Sequence, residues 1–269
     1  MPELAEAYEQ CQWLRQFIGC KLHPFEFFNH RRLVDVYQHG KAPVLKFELD
    51  TAYCTYIIYM WCSLGMTGAW QRHKTKHTRL TLKTDTGEYL HFNDPRKFAK
   101  LTTLKAQQYE AKVARLGVMP CIDHRGLVSG TGIQKLPPDP RQVKRFANKA
   151  LCQLLLRQDW YCGIGNYLKC EILYAARLSP YRIVNTLTDY ELTSLHRAVF
   201  RTCRKFIELG GQTINSYQTP EGKKRLAHGN MKVYRKGWTP VSNIIDYNIL
   251  RDTNTPDKRV TYWCQALQV

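Results

Sequence analysis

The 269-residue sequence predicts an α+β protein of two domains. An N-terminal β-sandwich flanked by helices covers 1–118, a linker covers 119–140, and a helical domain covers 141–269, ending in a small β-hairpin at about 230–269. Three observations predict this. Between 30 and 100, short β-rich runs (RLVDVYQ, PVLKFEL, YCTYIIYMW, TRLTLKT, EYLHFND) alternate with turn clusters (HGK, DTGE, NDPR), the texture of an antiparallel sandwich. The stretch 117–140 is rich in Gly and Pro and has no period, which marks a linker. Beyond it the pattern becomes helical, over 141–158, 164–177 and 189–209.

Each element has a local reason. Leu4, Tyr8, Cys11, Leu14 and Ile18 recur at helical spacing, and Gly19 is a stop. Pro2 and Glu3 suit a helix start, since proline has no N–H to orphan and glutamate favours the positive end of the dipole. Thr188 and Glu191 form a capping box for the last helix, which ends at Gly210 and Gly211. From 230 the chain returns to Val, Tyr, Ile, Thr and Trp, with turns at RKGWTP and DTNTPDKR, which reads as a hairpin.

The formal net charge is +18, carried by residues spread through folded segments. That is the footprint of a phosphate-rich partner, nucleic acid before a lipid surface. The longest apolar run, 52–66, is interrupted by polar residues and glycine and is too short to span a membrane. Glu3, Glu6 and Glu9 stand where a secretory signal would be basic and then apolar, so secretion is not expected. Ten cysteines are present, with no C-x-x-C pair. They are expected to be reduced and mostly buried, with neither a zinc site nor any other cofactor.

The most specific segment is GIGNYLKCEILYAARLSP, 163–180. Two glycines one residue apart and then Asn166 mark a tight turn opening a helix, a place where backbone N–H groups and the Asn166 amide suit a phosphate. This segment resembles the helix–two-turn–helix signature of the formamidopyrimidine-DNA glycosylase / endonuclease VIII (Fpg/Nei) family. The start MPE with Glu6, GKA at 40–42, LGMTG at 64–68 and NDPRKF at 93–98 follow in that family's order, so the resemblance covers both halves of the chain. It implies a C-terminal helix–two-turn–helix DNA-binding domain. It also implies a bifunctional enzyme of base excision repair, a DNA glycosylase and abasic-site lyase acting through an N-terminal proline Schiff base and β- or β,δ-elimination.

The resemblance also assigns roles. Pro2 would be the nucleophile once Met1 is removed, Glu3 the general acid or base at the sugar, and Glu6 an aid in positioning base or sugar. Lys41 would contact phosphate and assist proton transfer. Met66, Arg96 and Phe98 would fill the gap left by an extruded nucleotide, as a pliable thioether, a guanidinium and a ring can. Arg259 in KRVTYW would grip phosphates flanking the lesion, with Asn166 as a further DNA contact.

The C-terminal hairpin keeps only Cys264 where zinc-finger members carry two Cys pairs, so the resemblance is to the zincless-finger, Nei-like branch. Its hairpin would rest on its own packing, with Tyr234, Trp238, Tyr262 and Trp263 as candidates. Ala5, Ala99 and Arg157 depart from the family pattern, as does a short interval between Pro2 and Lys41.

The implied substrates are oxidised pyrimidines and hydantoins. The alternatives are an Fpg-like glycosylase for 8-oxoguanine and formamidopyrimidines, a non-catalytic damaged-DNA-binding protein, and a basic RNA-binding structural protein. The expected partner is damaged double-stranded DNA, with single-stranded or bubble DNA as the alternative. The protein would act as a monomer in an intracellular, DNA-containing compartment. The stretch 211–229 would either cover the flipped base or lack order.

Overall fold

A computed structural model describes residues 2–24, 31–50, 53–120, 136–211, 219–222, 231–235 and 249–269. Most of the linker 119–140, most of 211–229, and Trp238 lie outside the described residues. Of these described residues, 2–115, 209–211 and 219–222 form one compact unit, and 116–120, 136–208, 231–235 and 249–269 form the other.

The first unit opens with α1 (Leu4–Arg15). Eight strands follow: β1 (Lys21–Pro24), β2 (Arg31–His39), β3 (Ala42–Asp50), β4 (Thr55–Ser63), β5 (Ala69–Gln71), β6 (Thr78–Thr84), β7 (Tyr89–Asn93) and β8 (Lys100–Lys105), and then α2 (Ala106–Val113). The strands form one antiparallel sheet in the order β5-β7-β6-β1-β2-β3-β4-β8. Trp70 on β5 and Cys62 on β4 stand near opposite ends of that order, yet the Cys62 thiol lies against the Trp70 side chain. The sheet therefore folds over on itself into the two layers of a sandwich. Between them sit Leu33, Val36, Leu45, Phe47, Leu82, Leu90 and Phe92, all buried.

Helix α1 is bound to this sheet by polar as well as apolar contacts. Ala7, Cys11, Trp13 and Leu14 enter the core. The Arg15 guanidinium donates to the Val36 carbonyl at 2.9 Å, and the Gln10 side chain accepts from the Trp70 N–H at 2.6 Å. Segment 219–222 joins the same unit: the Gln71 side chain donates to the Thr219 carbonyl at 3.1 Å and the Arg72 N–H to the Pro220 carbonyl at 3.0 Å.

The second unit contains α3 (Lys144–Ala147), α4 (Leu151–Leu155), α5 (Asn166–Ala176), α6 (Asp189–Glu208) and a hairpin of β9 (Ile249–Asp252) with β10 (Thr261–Cys264). The helix predicted over 141–158 is two short ones. The backbone between them is taken by a distant segment: the Leu151 N–H donates to the Arg182 carbonyl at 2.9 Å, and the Val184 N–H to the Lys149 carbonyl at 3.0 Å. A residue whose N–H and C=O are committed across the fold cannot also serve a helical ladder. The α6 capping box is present, with the Glu191 N–H donating to Thr188 Oγ1 at 3.2 Å and the Thr188 N–H to Glu191 Oε2 at 2.8 Å. Gly210 and Gly211, both at positive φ, end that helix. Among the described residues no helix is long and apolar enough to cross a membrane.

His196 of α6 is buried and shares a 2.9 Å hydrogen bond with the Tyr161 hydroxyl. Burial lowers its pKa, opposed in part by the charge of Asp139. The unfolded chain, with histidine near 6.5, therefore binds more protons than the folded one below that pH. Its contribution to stability is complete above pH 6.5 and is lost as pH falls through the depressed folded value. Urea titrations from pH 7.5 down to 5 should show stability falling in that window, and His196→Gln should flatten the fall.

Candidate nucleic-acid interface and reaction site

In the first unit the candidate reactive groups gather where α1 begins. Pro2 is buried, and Glu3 and Glu6 are 2% and 0% exposed. Carboxylates this deep need donors. The Glu3 N–H donates to Glu6 Oε2 at 2.8 Å, so Glu6 closes the first turn of the helix and fixes Glu3. Gly211 lies against the same carboxylate, since a Cβ there would stand 2.7 Å from Glu6 Oε1. Its φ of +86° also suits glycine alone.

Lys41 occupies the tight turn between β2 and β3, after Gly40 at φ +60°. Gln38 joins this turn to the start of α1. Its buried amide donates to the Leu4 carbonyl and to the Gly40 carbonyl, each at 2.8 Å. The structure thus brings Pro2, Glu3, Glu6 and the Lys41 turn together. Gln38 was missed in the sequence because a glutamine in an alternating strand reads as surface.

Met66, Arg96 and Phe98 are also brought together. Phe98 is 59% exposed, Arg96 is exposed with its guanidinium 5.0 Å from the Phe98 ring, and Met66 is half-buried. The loop 64–68 and the loop 94–99 touch backbone to backbone: a Cβ at Gly65 would meet the Phe98 carbonyl carbon at 2.6 Å. Asp94, fully buried, is the brace. It accepts from the Thr67 hydroxyl at 2.6 Å and the Ala99 N–H at 2.8 Å, and pairs with Arg79 at 3.3 Å. Thr67 Oγ1 in turn accepts from the Arg96 N–H at 3.1 Å. In the sequence Asp94 gives no sign of this bracing, because Thr67 and Arg79 lie 27 and 15 positions away.

In the second unit, the turn before α5 is built around Gln158. Its side chain accepts from the Gly163 N–H at 2.9 Å and donates to the Ile164 carbonyl at 3.0 Å, and Gly163 has a φ of +99°. Helix α5 starts after Gly165 with no side-chain cap. The Asn166 amide is turned to the hairpin, donating to the Val260 carbonyl at 2.8 Å. That bond places Asn166 beside exposed Arg259, the neighbour of Val260.

The hairpin has an ionic anchor that the sequence did not disclose. Lys169 of α5, 0% exposed, meets Asp257 at 2.6 Å and donates to Thr261 Oγ1 at 2.7 Å. Aromatic packing also contributes, as Tyr234 contacts Tyr262 and Tyr181 contacts Trp263, edge to face. Cys264 is buried, and its N–H donates to the Gln268 side chain at 2.7 Å. Among the described residues no group of three or more His, Cys, Asp or Glu could hold a metal.

The brace makes a test. Asp94→Ala leaves three donors without their charged acceptor and should lower the unfolding free energy by about 3 kcal/mol in urea titrations. Arg96→Ala, at an exposed side chain, should change it by less than about 0.5 kcal/mol.

Comparison with known proteins gives a family. The model of the formamidopyrimidine-DNA glycosylase N-terminal domain matches 1–101, and that of the formamidopyrimidine-DNA glycosylase H2TH domain matches 140–218. The formamidopyrimidine-DNA glycosylase of Thermus thermophilus is 34% identical over 196 residues, 71% of this chain and 67% of the relative. That of Desulfitobacterium hafniense is 29% identical over 246 residues, 89% and 80% of the two chains. The crystal structure of MutM (Fpg) from Thermus thermophilus superposes at TM-score 0.76 with 28% identity, covering 99% of this chain and 98% of that one. Lactococcus lactis Fpg in complex with abasic-site DNA shares the fold at TM-score 0.78 and 20% identity, with 99% of each chain covered. By these matches, which take in both units and the 163–180 signature, the chain belongs to the formamidopyrimidine-DNA glycosylase (Fpg/Nei) family.

Proposed function

We propose that this member of the family is a bifunctional DNA glycosylase and abasic-site lyase that removes oxidised bases from DNA, in whatever compartment holds that DNA. The observation that carries the reading is the buried start of α1. There Pro2, Glu3 and Glu6 stand together, and Gln38 ties them to the turn bearing Lys41.

Removal of Met1 makes Pro2 a free secondary amine. An α-amino group has a pKa near 8, so a useful fraction is uncharged at neutral pH. Its nitrogen attacks the sugar C1′, the bond to the damaged base breaks, and the base leaves with the bonding electrons and a proton. The C1′–O4′ bond then breaks as the nitrogen lone pair forms the C1′=N⁺ iminium, and O4′ leaves with the bonding electrons and takes a proton from Glu3, which opens the sugar. Loss of a C2′ proton to a base lets the C3′–O bond break, and the 3′ phosphate leaves as β-elimination completes. Water returns the proline and ends the cycle.

Glu3 is the proton carrier at the sugar. Glu6 acts through Glu3, whose backbone it holds, and is a positioning residue. Lys41 neutralises phosphate near the reacting sugar. Met66, Arg96 and Phe98 fill the gap in the stack. Extrusion costs a few kcal/mol, which such a wedge offsets. Arg259 and Asn166 belong to the phosphate-gripping surface of the second unit, Arg259 by its exposed charge and Asn166 by fixing the hairpin at Val260.

The C-terminal hairpin, with Cys264 as its single thiol, supports a reading of oxidised pyrimidines and hydantoins as the lesion class. A second reading, 8-oxoguanine and formamidopyrimidines, is favoured by the names of the relatives, which are formamidopyrimidine-DNA glycosylases. Incision rates on duplexes carrying single oxidised pyrimidines, hydantoins, 8-oxoguanine or formamidopyrimidines separate the two. The first reading expects the pyrimidine and hydantoin duplexes to be cut fastest. Pro2→Gly should slow base removal on every member by at least about a hundredfold while leaving affinity for abasic-analogue DNA largely intact.

A further inference from the structure

The second unit carries a basic groove whose lining includes none of the residues assigned to excision. It has a volume of about 660 Å³ and runs along the outer face of α6 against one side of α5. Helix α5 lends it Glu171, Tyr174 and Ala175, not Gly165 or Asn166. Helix α6 lends it Tyr190, Arg197, Arg201 and Arg204, which recur at helical spacing on the face opposite the buried Leu195, Val199 and Cys203.

The groove is electrostatically one-sided. Arg197, Arg201 and Arg204 are exposed, and among the described residues none is paired with a carboxylate. Lys205 lines it too, and Lys232 adds a fifth cation at the rim. Two acids line the groove as well. Glu208 stands at the end of α6. Glu171 is 4% exposed and committed inward, accepting the backbone N–H groups of Lys232, Val233 and Tyr234 at 2.9 Å each. It therefore holds the Lys232 rim in place and cancels little of the charge outside.

Two features select the partner. The arginines follow one another at roughly 4.5–6 Å along the helix axis, about one per turn, a spacing suited to successive phosphates of an extended strand. Tyr190, 81% exposed at the first turn of α6, and Tyr174 offer ring faces beside them. Cations that track a backbone, with aromatic platforms beside them, suit unpaired bases, since a duplex keeps its bases stacked within. We infer that the α6 groove is a second nucleic-acid site, one that takes a single strand, and that it is separate from the 163–166 turn.

The test uses the full chain and a fluorescent undamaged oligothymidylate of about eight nucleotides, with binding read by anisotropy across a salt series. Arg197→Glu with Arg201→Glu should weaken binding at least tenfold and lower the salt slope by about 1.4, from about 0.7 for each of two single-strand phosphates. Tyr190→Ala should weaken it about tenfold by loss of one stacked base. It also tests the site if the double variant fails to fold. Incision of a lesion-bearing duplex by these variants should match wild type.

Unchanged oligothymidylate binding in both variants would overturn the inference. So would polyglutamate binding the groove more tightly than the oligonucleotide, which would make it a dock for an acidic protein. The probe carries no lesion, so a failure of the excision reading leaves this result readable.

Discussion

The buried amide of Gln38 is the contact on which the candidate reaction site rests. One nitrogen donates both to the Leu4 carbonyl at the start of α1 and to the Gly40 carbonyl in the β2–β3 turn. Those two pieces of chain have no covalent reason to be neighbours, and between them they carry Pro2, Glu3, Glu6 and Lys41. A proline amine and a carboxylate are ordinary groups; in the proposed reaction, holding them at one sugar carbon is what would make them a catalyst. The cost of burying Glu6 is offset locally, by the Glu3 N–H on its carboxylate, and the sandwich supplies the rigid support. The same device recurs at Asp94, where one buried carboxylate joins the loop of Met66 to the loop of Arg96 and Phe98.

The second unit repeats the pattern with a different pair. Lys169 and Asp257 meet 2.6 Å apart with both side chains almost wholly buried, and Thr261 completes the lysine's coordination. A buried ion pair contributes less to net stability than to choosing one arrangement over others. Here it selects the register at which the hairpin meets α5, and so puts Arg259 beside Asn166.

Much of this was legible in the sequence where the signal is local. The helix of Leu4, Cys11 and Leu14, the strand runs, the Thr188–Glu191 box and the Gly210–Gly211 stop all depend on neighbours within a few residues, and the structure has each. The wedge and MPE motifs were legible only as family-like strings, whose residues the fold then gathers. What escaped is what depends on distant partners. The helix over 141–158 breaks because 149–151 pairs with 182–184. Gln38 and Lys169 gave no local signal, since no periodicity announces that a polar side chain will find its partner dozens of positions away. Lys169 and Asp257 are 88 residues apart in sequence.

The central claim is that the Pro2 nitrogen is the nucleophile and that the fold around Gln38 exists to present it. Borohydride trapping of the untagged protein, with Met1 removal verified by mass, on DNA carrying one abasic site tests it most directly. The expected result is a covalent adduct that maps by peptide mass to Pro2 and is sharply reduced in Gln38→Ala. An adduct on Lys41 or another lysine, or tight binding of the abasic DNA with no adduct at all, would contradict it.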